Sequence, residues 1–177
     1  MRIVAGKYRG RTLLEFGGED IRPTADRVRE SLFNIIQNKT PNSVFLDLYS
    51  GTGAIGIEAL SRYAKSVTFN DISKSSLALL KKNLEKLKVD DEFEISSCDA
   101  VRFLSQTDKK YDIIFIDPPY KSDKKKDALP FCANKLSDDG IVVFEDECEW
   151  TGSVEGLVVY DKRKYGRVHL TFFKKEV

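Results

Sequence analysis

Asp117, Pro118, Pro119 and Tyr120 end the apolar run Tyr111–Ile116 with an acid, two imino acids and an aromatic ring. The prolines remove two backbone donors and fix two φ angles, so the loop is stiff. A planar exocyclic amine on a heteroaromatic base suits such a loop. The nitrogen of that amine is a poor nucleophile, because its lone pair is delocalised into the ring. Acceptors on both N–H hydrogens would help it towards tetrahedral geometry and stabilise the positive charge that develops. The Asp117 carboxylate and the Pro118 carbonyl can supply them, and Tyr120 can stack on a base swung out of its helix or loop. Transfer to nitrogen of this kind demands positioning and no metal. A plain proline-stiffened strand exit is the bland alternative.

Acids elsewhere in the chain count against that alternative. Gly51, Gly53 and Gly56 in "SGTGAIG" fit G-x-G-x-x-G after one strand pattern and at the start of a helical one. Alone, this pattern suits a dinucleotide equally well. Asp47 stands four residues before Gly51, where a carboxylate repels a diphosphate and attracts an ammonium group. Asp71 ends the second strand, twenty residues after Gly51, where an acid can accept both ribose hydroxyls. Asp99 ends the third strand and can take an adenine amino hydrogen. Adenine, a free ribose and an amino-acid ammonium, with no phosphate, describe S-adenosylmethionine.

The elements that must hold these residues follow from periodicity. "MRIVAGKYRGRTL" suggests a short N-terminal hairpin, and "TADRVRESLFNIIQN" a helix capped by Thr24 or Asp26. Strands "SVFLDLYS", "SVTFND", "EFEISSCD", "YDIIFID" and "GIVVFEDE" then alternate with helices. The helices are "GAIGIEALSRY", a leucine stripe at Leu77, Leu80, Leu84 and Leu87, "AVRFLSQ", and a run across Ala128–Leu136. "GLVVYDKRKYGRVHLTFFKK" reads as two strands joined by a basic turn. The pattern predicts an α/β, Rossmann-like, mostly parallel seven-stranded sheet with an antiparallel C-terminal edge hairpin. One domain is expected, with residues 1–40 as a hairpin-and-helix extension and residues 41–177 as the core.

A length of 177 residues, 41% hydrophobic and 32% charged, fits one globular domain. No apolar run reaches membrane-span length, and the first residues lack the apolar core of a signal peptide. Cys98, Cys132 and Cys148 lie far apart with a single histidine, His169, which argues against a zinc site or disulfide framework and suits a reducing cytoplasm. Net charge is only +1, yet basic residues cluster. Arg2, Lys7, Arg9 and Arg11 open the chain, Arg22, Arg27 and Arg29 follow, Lys121 and Lys124–Lys126 trail the proline loop, and Lys162–Lys164 and Arg167 lie near the end. Convergence of such clusters on one face would suit a phosphate-rich partner.

Together, "MRIVAGKYRGRTL", "IRPTADRVRESLFNII", "FLDLYSGTGAIGIEALSR", "DPPY" and "YGRVHLTFF" resemble the bacterial 16S rRNA (guanine-N2)-methyltransferases of the RsmD type, over essentially the whole chain. The glycine loop and Asp-Pro-Pro-Tyr are shared by many amino-methyltransferases. "GKYRGR" and "RPTADRVRE" are the more specific part. Tyr49-Ser50 and Asn70 depart from the commoner Phe-Ala and apolar residues. The resemblance implies methylation of one guanine amine in a hairpin loop of 16S rRNA, in the small subunit or its assembly intermediate, by a cytoplasmic monomer using S-adenosyl-L-methionine and no metal. Carried onto this sequence, Asp47, Gly51, Gly53, Asp71 and Asp99 hold the cofactor, and Asp117, Pro118 and Tyr120 the guanine amine. Arg22 and Thr24 lie at the cofactor's methionine end or at the RNA entrance, Lys7, Arg9 and Arg11 meet phosphates, and His169 is structural. Competing readings are another amino-methyltransferase of RNA or DNA, an NAD(P)-dependent oxidoreductase supported only by the glycines, and a non-catalytic RNA-binding factor.

Overall fold

The computed structural model describes residues 1–17, 23–119 and 126–176, and the side chains of its first helix from Asp26 onward. The strand–helix alternation forms one seven-stranded sheet, of order β3-β2-β1-β4-β5-β7-β6. Strands β1 (Val44–Asp47), β2 (Ser66–Asn70), β3 (Glu92–Ser96), β4 (Tyr111–Ile116) and β5 (Leu136–Asp146) run parallel. Strands β6 (Leu157–Tyr165) and β7 (Val168–Lys175) close one edge antiparallel. This is the expected Rossmann-like architecture.

Helices α1 (Pro23–Ile35), α2 (Ala54–Ser61) and α3 (Lys74–Leu87) cover one face, burying Leu32, Phe33, Ile57 and Leu80 with Phe45, Phe69 and Ile113. Helices α4 (Ala100–Gln106) and α5 (Leu129–Cys132) cover the other, where Leu104 and Leu129 meet Leu46, Ile114 and Phe144. The leucine stripe makes α3, because residues three and four apart share a face. Its start is capped by Ser73, whose hydroxyl accepts from Ser76 N at 3.2 Å. Its end is Lys88 at φ 52°, a left-handed residue that cannot continue the helix. Each buried leucine of the stripe contributes roughly 1.5–3 kcal/mol relative to exposure.

Two expectations change. The helix foreseen across Ala128–Leu136 is one turn of α5 followed by a 3₁₀ turn, Ala133–Lys135. Leu129, Cys132 and Leu136 have helical spacing, but Leu136 leaves the helix to pair with Tyr111 in the sheet. The third strand stops at Ser96, so Asp99 stands beyond it as the N-cap of α4. The short N-terminal hairpin forms as expected: Arg2 bridges Thr12 antiparallel, with Ile3 N donating to the Arg11 carbonyl and Leu13 N to the Met1 carbonyl, both at 2.9 Å.

That N-terminal segment, the strap, is laid onto α2 and α3. Glu58 Oε2 and Oε1 accept from Val4 N and Ala5 N at 2.8 and 3.0 Å. Ser61 Oγ accepts from Tyr8 N and donates to the Ala5 carbonyl. Gly6, at φ 82°, lets the backbones touch; a Cβ there would lie 1.8 Å from the Ser61 carbonyl oxygen. Ile3, Tyr8 and Leu13 are buried in the same apolar cluster as α1, α2 and α3. No described helix is long and apolar enough to cross a membrane.

Candidate active site

Ligands in such sheets bind beyond the strands' C-terminal ends where the order reverses, here between β1 and β4. A cavity of about 750 Å³ opens at that place. Its described lining includes Gly51, Pro118 and four aspartates, Asp71, Asp99, Asp117 and Asp127, and no lysine or arginine. A diphosphate would be repelled there, whereas a cation with sugar hydroxyls would be accepted.

The glycine loop is shaped from beneath. Gly51 and Gly53 have φ of 51° and 85°, angles that favour glycine. A Cβ on Gly53 would lie 2.2 Å from Leu80 Cδ1, so α3 carries the loop directly. Asp71, the residue after β2, accepts from Gly51 N through Oδ2 and from Ser73 N through Oδ1, both at 2.8 Å. One carboxylate therefore fixes both the glycine loop and the loop leading to α3. Its remaining lone pairs face the cavity that it lines.

Asp47 is placed differently from expectation. It is only 1% exposed, lies below the glycine loop and is not among the cavity-lining residues. Its Oδ2 accepts from Gly56 N at 2.9 Å, so it anchors the first turn of α2. Burial pushes its carboxyl up to about 7, and the charge of Asp71 adds to the rise. Asp99 Oδ1 accepts from Val101 N and Arg102 N at 3.1 Å, capping α4 from the cavity wall.

Asp117 follows β4 directly, with Pro118 buried and Pro119 exposed. The last paired residues of β4 and β5 are Ile116 and Phe144, so Asp117 and Glu145 come next on neighbouring parallel strands. Burial raises the Asp117 carboxyl well above its ordinary range, and the charges of Glu145, Asp47 and Asp146 raise it further. Asp47, buried, and Asp71 and Asp117, half-buried, thus form one cluster of acids. Among the described residues, none of Asp47, Asp71, Asp99 or Asp117 has an ion-pair partner.

Tyr120 and Arg22 lie outside the described residues, as does the side chain of Thr24. Lys7, Arg9 and Arg11 are exposed on the strap. Lys7 forms an ion pair with Asp91, and Arg11 Nη1 donates to the Leu87 carbonyl at 2.6 Å. Both cations stand 5.3 Å from the Tyr8 ring centre, on its faces. Sequence reasoning named Tyr49 only as a departure from the family pattern and did not single out Ile72 or Asp127, and all three also line the cavity. Ile72 is 70% exposed directly after Asp71; a large aliphatic residue leaving a strand for a loop was the available signal.

A family model described as "Conserved hypothetical protein 95" matches residues 1–174. The chain is 39% identical over 152 residues to "Ribosomal RNA small subunit methyltransferase D" of Haemophilus influenzae, covering 83% of this chain and 79% of that one. It is 35% identical over 151 residues to the protein of the same name in Escherichia coli, covering 84% and 76%. The solved structure of Escherichia coli yhhF superposes with a TM-score of 0.87 at 31% identity, covering 99% of this chain and 98% of that one. With a cavity at the switch point, an acid ending β1, acids directly after β2 and β4 and another capping α4, and these relatives, the chain belongs to the "Conserved hypothetical protein 95" family of methyltransferases.

Proposed function

We propose that this protein transfers a methyl group from S-adenosyl-L-methionine to the exocyclic N2 amine of a guanine in 16S rRNA, within the small ribosomal subunit or its assembly intermediate. The observation that carries the reading is Asp117 and Pro118 on the wall of a cavity whose described residues include four acids and no base. Relatives named as small-subunit rRNA methyltransferases support the RNA class. Cavities of several hundred Å³ suit a ligand of nucleoside size.

In this reading Asp71 receives the ribose hydroxyls, Asp99 the adenine amine and Gly51 leaves room for the close approach of the ligand. Asp47 supplies buried negative charge beneath the ammonium end. S-adenosylmethionine brings an electrophilic methyl group on a sulfonium centre. Asp117 and the Pro118 carbonyl hold the two amine hydrogens, keeping the nitrogen's lone pair aimed into the cavity. The same burial and neighbouring acids that raise the Asp117 carboxyl make it a competent acceptor for the proton released once the nitrogen is methylated. Tyr120 stacks on the base, and Arg22 and Thr24 act at the methionine end or the RNA entrance. Because Lys7 and Arg11 are tied to Asp91 and Leu87, Arg9 makes the larger share of strap-to-phosphate contact. The enzyme acts as a cytoplasmic monomer.

Labelled S-adenosylmethionine offered with free 16S rRNA, small subunits, large subunits and DNA tests the whole reading. Label on N2 of a single guanine of 16S rRNA is the expected outcome. Label on adenine, on DNA or on the large subunit would overturn it.

A further inference from the structure

Asn83 is a fully buried amide on the α3 face whose other buried residues are all leucine. A buried amide is costly unless its polar atoms are met. Here they are met by two separate pieces of chain. Oδ1 accepts from Leu14 N at 2.7 Å, and Nδ2 donates to the Leu14 carbonyl at 3.1 Å and to the Thr52 carbonyl at 3.0 Å. The side chain pairs with Leu14 as a neighbouring strand would, and its second N–H holds the glycine loop. Only this amide orientation works, because a flipped one would set NH₂ against an N–H and oxygen against two carbonyls.

Helix α3 therefore carries the loop at consecutive residues, with Leu80 under Gly53 and Asn83 under Thr52. Leu14 does not line the cavity. It stands eight residues before Arg22 and ten before Thr24. Because the two interactions share one planar group, a strap that lifts away turns the amide and leaves the Thr52 carbonyl without its donor, at the penalty of a buried unmade hydrogen bond.

We infer that Asn83 is a positioning residue that couples the N-terminal strap to the cofactor loop, so that docking of the strap sets the affinity of the cavity for S-adenosylmethionine. This rests on the cofactor reading above. The mechanical link holds in both directions: a ligand that orders the loop also holds the strap at Leu14.

Calorimetry of S-adenosylmethionine binding to the full chain tests it with Leu14→Pro, Leu14→Ala, Asn83→Ala and the Leu14→Pro/Asn83→Ala double variant. Proline at 14 removes the N–H that Asn83 accepts, whereas alanine keeps it. Leu14→Pro and Asn83→Ala should each weaken binding roughly 5-fold or more, and the double variant should bind no worse than Asn83→Ala, the non-additivity expected of linked groups. Leu14→Ala should bind as wild type, and turnover at saturating cofactor should stay within about 2-fold throughout, an outcome that general destabilisation would not give. Wild-type affinity in Leu14→Pro, or multiplying effects in the double variant, overturns the coupling. Wild-type protein that binds no S-adenosylmethionine sinks the cofactor reading instead. Hydrogen exchange on the free protein then decides the coupling: the Gly53 amide should lose protection in Leu14→Pro, and unchanged protection overturns it.

Discussion

Acids are treated in opposite ways in two regions of this molecule. Under the strap, Glu58 is fully buried yet accepts two backbone amides and pairs with Arg62 at 2.8 Å and Arg29 at 3.5 Å. Asp91, nearby on the same side, is matched by Lys7 and by the Tyr8 hydroxyl at 2.7 Å. At the cavity, Asp71 and Asp99 accept backbone amides, as does Asp47 beneath it, and among the described residues no cation pairs with them. Burial and mutual repulsion raise the carboxyls of Asp47 and Asp117 instead. Matched charge holds a fold together. Charge gathered without a described counterion holds a place for something else.

The largest expected effect breaks the matched region. Glu58→Ala leaves Arg29, 3% exposed, with the half-buried Asp26 at 3.1 Å as its remaining described acid, strips Val4 N and Ala5 N of their acceptor, and should cost about 3–5 kcal/mol. Urea unfolding would show it, and because Glu58 also holds the strap through Val4 and Ala5, the folded fraction should bind cofactor more weakly than wild type. Next comes the other region. Asp117→Ala should leave stability and cofactor binding nearly intact but lower single-turnover rates on small subunits about 100-fold or more. Asp117→Asn should retain more activity than alanine. A wild-type rate for Asp117→Ala would reduce the proline loop to a strand exit.

A third expectation concerns pH. The folded Asp47 carboxyl, at about 7, lies above its unfolded value of roughly 3.9. Below pH ~4 both states hold the proton and the group has no effect. Between there and pH ~7 the unfolded chain ionises first, so the ligand-free fold loses stability as pH rises, with no further loss above. A cationic ligand favours the ionised acid, so affinity should climb between pH 6 and 8, and Asp47→Asn should flatten both trends. Flat affinity in the wild type would detach Asp47 from the ammonium. The smallest effects belong to the strap surface. Lys7→Ala should cost no more than about 1 kcal/mol, the scale of an exposed pair. Arg9→Glu should leave stability unchanged while flattening the salt dependence of subunit binding. An unchanged slope makes Arg9 ordinary surface.

Much of this contrast was legible in the sequence, though unevenly. The leucine stripe of α3 and the apolar runs of β1 and β4 announce themselves through spacing, because periodicity and burial are the same fact seen twice. Asp71 and Asp117 follow their strands as read. The roles of Asp47 and Asp99 were less visible, since a carboxylate serving a backbone amide looks the same in sequence as one facing a ligand. The strap was hidden for another reason. Its bonds to α2, to α3 and to Asp91 join residues 53 to 84 positions apart, and no local pattern records such a pairing. Lys7 and Arg11 read as surface charge because Asp91 and Leu87 are far along the chain. Asn83 sits unremarked inside a leucine helix for the same reason.

The strap also has a history in time. Val4 and Ala5 wait for Glu58, Tyr8 waits for Ser61, and Lys7 waits for Asp91, 84 residues later. At ordinary translation rates that interval lasts roughly 4–17 s. During it the first segment of the chain has left the ribosome with three apolar side chains, Ile3, Tyr8 and Leu13, and nowhere to bury them. The strap thus docks only after Asp91 has been made, and nascent chains should stay open to proteases across it until α3 has emerged.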